Sequence, residues 1–415
     1  MEKICPAGCL FGLSAVRVYN DIRLVKNGPA TNRPRGQEAK DKSIMVKYNL
    51  DLSGKTIVVT GSSGFIGSNL CLKLMEEWPD AKIIGIDNMN HYYDIRLKEL
   101  RLQKLVKNPH FTFILGDISD KDTIDRVFAD YKPQIIVNLA AQAGVRWSLV
   151  HPEDYIKSNI VGFYNILEAS RHSYDGLAEE EKAVPVSAQD YAKGVYHGVE
   201  HLVYASSSSV YGGNVKYPFS TDDPVDTPVS LYAATKKSDE LMAHCYSKLY
   251  GIPSTGLRFF SVIGPAGRPD MALFKFTDIF REGGTVEIYN YGKCRRDFTY
   301  VGDIVEGVTR VMQYAPAENS VGARYNVYNI GNSNPVELLD FVKILEEELV
   351  RAKIVPSDYD FDAHSRLVPA QPGDVVENYA DVTPLIRDFD YKPKSDLRDV
   401  IREFCEWYAG FYGTI

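Results

Sequence analysis

The chain has 415 residues, 45% of them hydrophobic, and a formal charge of −8 at pH 7. That length holds two domains or one large unit with an appended lobe, and the acidic balance argues against a nucleic-acid surface. No apolar run approaches the roughly 20 residues of a membrane helix, and scattered cysteines suit reduced thiols in a cytoplasm.

Residues 1–50 read as an N-terminal extension. Asn27 to Lys42 is polar, with Gly, Pro and mixed charges, which predicts a flexible segment. It lacks the apolar core of a secretory signal. Cys5 and Cys9 have no second Cys/His pair nearby, so no metal site is expected there. Met45 is a candidate start of the folded unit.

The segment Lys55 to Leu70 is the first strong signal. An apolar strand stops at Thr60, and Gly61, Gly64 and Gly67 follow, with Phe65 and Ile66 opening a helix between them. Such a turn presents unpaired N–H groups and a helix N-terminus to a pyrophosphate. Asp87 ends a second strand, 20 residues after Gly67, where a carboxylate binds ribose hydroxyls and repels a 2′-phosphate. The expected cofactor is therefore NAD.

Strands are predicted at 55–60, 81–87, 111–115, 135–139, 201–205 and 255–259, with helices between most of them. The alternation implies an α/β fold, a Rossmann-type doubly wound parallel sheet covered on both faces. Asp117, Ala140, Ala141, Ser206 to Ser209 and Ser261 follow strand ends and should converge on one crevice. The NAD-binding domain is expected at 51–260. Beyond it, 261–415 reads as a smaller interleaved α/β substrate lobe, with helices near 335–350 and 396–410 and some segments returning to the sheet.

Ser230-Leu-Tyr-Ala-Ala-Thr-Lys236 opens a helix that runs to about Tyr250. Tyr232 and Lys236 share one helix face. A nearby ammonium and the positive nicotinamide favour a phenolate, making Tyr232 a candidate general base for a sugar hydroxyl. Among 27 tyrosines this spacing also arises by chance. The order of glycine turn, serine-rich strand end and Tyr/Lys helix favours chemistry. A serine at the strand's carboxyl end can relay the proton.

These stretches resemble the extended short-chain dehydrogenase/reductases, the NAD-dependent epimerase/dehydratase family. Within it, the UDP-glucuronate 4-epimerases are the most similar branch. The similarity runs from about Leu52 to the C-terminus. It is carried by Leu139-Ala-Ala-Gln-Ala-Gly-Val-Arg146, by Leu202 to Gly212, by Pro228 to Lys237, by Gly267 to Phe276, by Arg295 to Tyr300 and by Gln371-Pro-Gly-Asp374. The resemblance implies a catalytic triad of Ser207, Tyr232 and Lys236, with Lys236 also on the nicotinamide ribose. It places Asp87 and Asn88 on the adenosine ribose, Asp117 and Ile118 on adenine, and Ala140, Ala141 and Asn159 along the cofactor cleft. Ser207, Ser208, Ser209 and Ser261 would line the sugar. Arg296 would meet the UDP diphosphate, with Gln371 and Asp374 as further nucleotide contacts. Arg146 and Arg268 would face the substrate carboxylate, for which a guanidinium fork is well matched. A homodimer is the expected assembly, with no nucleic-acid or membrane partner and no metal.

The implied reaction is NAD-dependent 4-epimerisation of UDP-glucuronate to UDP-galacturonate through a transient 4-keto sugar. Dehydration is not expected, because Ser208 and Ser209 stand where related dehydratases carry Asp-Glu. Rival readings are a 4-epimerase of UDP-glucose or UDP-N-acetylglucosamine, a UDP-glucuronate decarboxylase, and a silent NAD-sensing protein. Three positions depart from the branch: Ser261 replaces Thr and keeps its hydroxyl, while Ile263 and Ala266 stand where Tyr and Trp are usual and bear on substrate. An insertion at about 173–196 joins a helix to a strand, so it should lie at the amino ends of the strands, away from the crevice, and be dispensable for turnover.

Overall fold

The computed structural model describes residues 48–370 and 377–414. The expected flexible extension therefore lies outside the described residues, apart from Tyr48 to Leu50. The chain alternates β1 (Thr56–Thr60), α1 (Phe65–Glu77), β2 (Lys82–Asp87), α2 (Ile95–Leu105), β3 (Phe111–Leu115), α3 (Lys121–Tyr131) and β4 (Ile135–Asn138). A helical stretch follows as α4 (Pro152–Tyr155), a π-helical turn (Ile156–Val161) and α5 (Gly162–His172). Next come α6 (Ala188–Ala192), β5 (His201–Ser207), α7 (Leu231–Tyr250), β6 (Ser254–Phe259), β7 (Ser261–Ile263) and α8 (Ala272–Arg281). The rest is β8 (Val286–Ile288), β9 (Arg295–Arg296), β10 (Phe298–Tyr300), α9 (Val301–Met312), β11 (Tyr325–Ile330), β12 (Val336–Glu337), α10 (Leu338–Arg351), β13 (Ser365–Leu367), β14 (Glu377–Asn378), α11 (Thr383–Phe389) and α12 (Leu397–Tyr412). None of these helices is long and apolar enough to cross a membrane.

Seven strands form one sheet in the order β11-β6-β5-β4-β1-β2-β3. Every pairing in it is parallel. The apolar residues of β1, β2 and β4, and Leu202 to Tyr204 of β5, are buried on both faces, as a helix-covered parallel sheet requires. Strand order reverses between β1 and β4, which opens the ligand crevice there. The predicted strands stand within a residue or two, and β5 runs two residues beyond the predicted Ala205, taking in Ser206 and Ser207. β11 returns from late in the chain to pair with β6.

A second apolar cluster joins α8, α10 and α12, with Phe274, Phe280, Phe341 and Phe404 all buried. Three small sheets lie among these helices, the first pairing β10 with β7.

The segment after α5 sits at the amino ends of β1, β4 and β5, as its place between helix and strand predicts. Tyr191 donates to Lys132 O (2.8 Å), Tyr196 to Pro133 O (2.9 Å) and Tyr174 to Val199 O (2.6 Å). Beneath it lies an enclosed ion pair, Lys55 Nζ to Glu200 Oε2 at 2.7 Å, with side chains 4% and 0% exposed. Lys55 also donates to Val186 O, and Glu200 accepts from Val186 N and from Gln134. The insertion thus supplies partners to two buried charges.

Removing one partner of an enclosed pair leaves the other uncompensated, at a cost of about 3–5 kcal/mol. Glu200→Ala is expected to lose stability on that scale in urea unfolding, and Glu200→Gln less. A midpoint unchanged in Glu200→Ala would show that water enters and solvates Lys55.

Candidate active site

The cofactor end begins where β1 stops. Gly61 has φ +69, and a Cβ there would lie 2.9 Å from Ala140 N. A Cβ on Gly64 would lie 2.9 Å from Gly61 O, and one on Gly67 only 2.1 Å from it. Each glycine is therefore required by close backbone approach. α1 starts at Phe65 with no side chain capping its first N–H groups. The hydroxyls of Ser62 and Ser63, both buried, also have no hydrogen-bond partner among the described residues. A cradle without side chains, with uncapped donors and a helix N-terminus, fits the pyrophosphate of NAD.

Asp87 ends β2 and is 6% exposed. It accepts from Ser63 N (3.1 Å), Met89 N (2.9 Å) and Lys98 Nζ (3.3 Å), which fix its carboxylate at the rim of the cleft. Asp117 is held by Ser119 and by Lys157 at 3.2 Å. Burial raises its pKa, but these bonds outweigh burial and keep the carboxyl below its ordinary range. Asn88, Asp117, Ile118, Ala140 and Ala141 line one cleft with Gly61, Gly64, Phe65, Ile66 and Gly67. Asn159 stands behind that cleft. Buried at 1% exposure, it accepts from Gln142 N (2.8 Å) and donates to Thr235 Oγ1 (2.9 Å), tying the end of β4 to α7.

Ser230 caps α7, its hydroxyl accepting from Ala233 N at 3.1 Å. Tyr232 therefore sits in the first turn, half-buried, with Tyr155 edge-on at 5.9 Å between ring centres. Lys236 is buried and donates to Ala205 O at 3.0 Å. Alternation along β5 separates the serines. Ser206 is buried and gives its proton to Glu240 (2.7 Å). Ser207 accepts from Ser209 N (3.1 Å) and donates to no group among the described residues, so its proton is available. Ser208 accepts from Asn378 Nδ2 at 3.2 Å.

Arg268 lines the cofactor cleft and pairs with Asp270, Nε to Oδ1 at 3.0 Å. Burial works against its charge, but Asp270, then Tyr232 and Tyr92, hold the guanidinium firmly protonated. Tyr92 donates to the same carboxylate at 3.2 Å. Arg146, Ser261, Ile263 and Arg296 line a neighbouring cavity of about 240 Å³. Arg146 lies over the Tyr289 ring at 5.1 Å. Gln371 and Asp374 lie outside the described residues.

Several groups here are absent from the sequence reading. Tyr155, Tyr92 and Asn378 belong to no recognised spacing, and Asp270 lies within the Gly267 to Phe276 stretch with no role assigned by it. Arg101 of α2 is another. Its guanidinium donates to Ser63 O (3.2 Å), Ala266 O (2.6 Å) and Gly267 O (3.1 Å), joining the glycine turn to the loop that carries Arg268. Ala266 is held there at φ +52, which a tryptophan would find no easier. Ile263 is 3% exposed and packed in the second apolar cluster.

A profile of the NAD dependent epimerase/dehydratase family matches residues 57–331. A Staphylococcus aureus protein called CapI is 46% identical over 367 residues, covering 86% of this chain and 99% of the relative. A probable UDP-glucuronate 4-epimerase of Rhizobium meliloti is 38% identical, over 86% of this chain and 97% of its own. Among solved structures, the UDP-glucuronic acid 4-epimerase of Bacillus cereus, in complex with UDP-glucuronic acid and NAD, superposes with a TM-score of 0.69. It is 27% identical and is matched over 85% of this chain and 98% of its own.

The closest backbone approach in the glycine turn gives a direct test. Gly67→Ala must push Gly61 O away, and NAD affinity is expected to fall by about 100-fold. Fluorescence titration with NAD checks this; unchanged affinity would place the pyrophosphate elsewhere.

Proposed function

Because the chain belongs to the NAD-dependent epimerase/dehydratase family, we propose that it interconverts UDP-glucuronate and UDP-galacturonate by inverting C4. The observation that carries this reading is Arg268, a guanidinium on the wall of the cofactor cleft whose charge is favoured first by Asp270 and then by Tyr232. Nε and one Nη2 hydrogen of Arg268 are committed to Asp270, and the Nη1 edge is the part of the group offered to a sugar carboxylate. The similarity to relatives named UDP-glucuronate 4-epimerases points the same way.

The glycine turn and Asp87 would hold NAD, which would supply reversible hydride acceptance for C4. Tyr232 takes the C4 hydroxyl proton, with the Lys236 ammonium favouring its phenolate. Ser207 donates its uncommitted proton to the sugar oxygen and holds it in place. The 4-keto sugar turns within the pocket, and Tyr232 returns the proton on the opposite face. Arg268 and Arg146 hold the carboxylate, so that the β-keto acid keeps its carbon dioxide. Ser208, Ser209 and Asn378 offer no carboxyl group at the sugar, which disfavours loss of water.

We also propose a homodimer in the cytoplasm. Leu241 and Leu249 on α7, with Ile156, Val161 and Tyr164 on the facing helical stretch, are exposed apolar side chains suited to a helical interface.

Proton NMR of the protein with UDP-glucuronate is expected to show a galacto-configured uronate with its carboxylate kept. Release of UDP-xylose would instead mean decarboxylation. Arg268→Ala is expected to lower kcat/KM for UDP-glucuronate by about 10- to 100-fold, the worth of a charge-assisted contact. Conversion of UDP-glucose in preference to the uronate, unaffected by Arg268→Ala, would move the substrate to neutral sugars.

A further inference from the structure

The side chain of Lys236 is only 3% exposed, so water cannot neutralise its ammonium. Two protein oxygens stand in for water, Ala205 O and Asp239 Oδ2, each at 3.0 Å. Ala205 is part of the wall of the cofactor cleft. An ammonium has three donors, so two are spent in fixing its place and one remains for the cleft.

Asp239 lies three residues along α7 and is 1% exposed. Its second oxygen, Oδ1, has no hydrogen-bond partner among the described residues. A half-satisfied carboxylate in the interior is costly, and an amide would accept the same N–H without the charge. The charge itself therefore needs a role. Other ionisable groups nearby are already committed. Glu240 is bonded to Arg258 through both oxygens and to Ser206. Tyr204, facing from β5, is hydrogen-bonded to Tyr325 of β11.

We infer that Asp239 is a positioning residue of the reaction: its carboxylate fixes the Lys236 ammonium at the cleft wall and supplies its counter-charge, thereby setting the pH range in which Lys236 and Tyr232 work. The inference rests on the role given above to those two residues. Burial pushes the Asp239 carboxyl up to about 7, against the pull of Lys236. The counter-charge is thus complete above neutrality and withdrawn below it.

Removing a negative charge makes every neighbouring group give up its proton at lower pH. Asp239→Asn keeps an acceptor for Lys236 but not the charge, and Asp239→Ser removes both charge and volume. The test follows the Lys236 resonance in protein labelled with 13Cε-lysine, assigned by its loss in Lys236→Ala. In both variants Lys236 is expected to lose its proton about one pH unit or more below the parent. The alkaline limb of the kcat profile should move with it, and the profiles should converge below about pH 6, where Asp239 is neutral in the parent. A uniform drop in kcat, with the Lys236 titration unmoved in both variants, would overturn the inference. The NMR titration needs no substrate, so it stands or falls separately from the choice of UDP-uronate.

Discussion

A parallel strand cannot be followed by its neighbour through a tight turn. Each must be reached by a crossover that returns to the amino end, so every carboxyl end faces the same way. In this chain all seven strands of the main sheet obey that constraint. The glycine turn, Asp87, Asp117, Ala140 and Ser207 are separated by long stretches of sequence but share one edge. The change of strand order between β1 and β4 spreads that edge apart and leaves room for a dinucleotide.

Much of this was legible in the sequence because it follows from strong local rules. Apolar runs mark β1, β2, β4 and β5, and the glycines mark a backbone with no space for a Cβ. The less visible parts have weak local signals. β11 reads Tyr325-Asn-Val-Tyr-Asn-Ile330, where two asparagines interrupt the apolar signal, and β9, β12 and β14 are two residues each. Asn378 reaches Ser208 across 170 positions, which no spacing rule covers. Ser206 and Ser207 are indistinguishable by type, and only the pleat of β5 sends one hydroxyl to Glu240 and leaves the other available.

Behind the site lies a polar network that holds α7 against the sheet. Arg258 of β6 meets Glu240 through Nε (2.8 Å) and Nη2 (2.9 Å), and donates to Tyr211 (3.0 Å). Tyr211 passes its own proton to Asn329 of β11 (2.6 Å). The Glu240 carboxyl is raised by burial but lowered further by Arg258, and stays charged. Such a network contributes little net stability compared with apolar packing, yet its fixed geometry leaves the Tyr/Lys helix one register against β5. Rigidity at that helix is what a proton transfer over hydrogen-bond distance requires.

Arg101 has a wider consequence. One planar group touches the glycine turn, the proposed seat of the pyrophosphate, and the loop that carries Arg268. The two ligands are thus measured from a common datum. Were each seated by its own support, small errors in the two would add, and hydride transfer tolerates only about half an ångström of error. With a shared datum, thermal motion of α2 carries both seats together and their separation is preserved. Residues such as Ile263 at the end of β7 can then change in identity and retune the cavity they line, while the spacing of the two seats is kept.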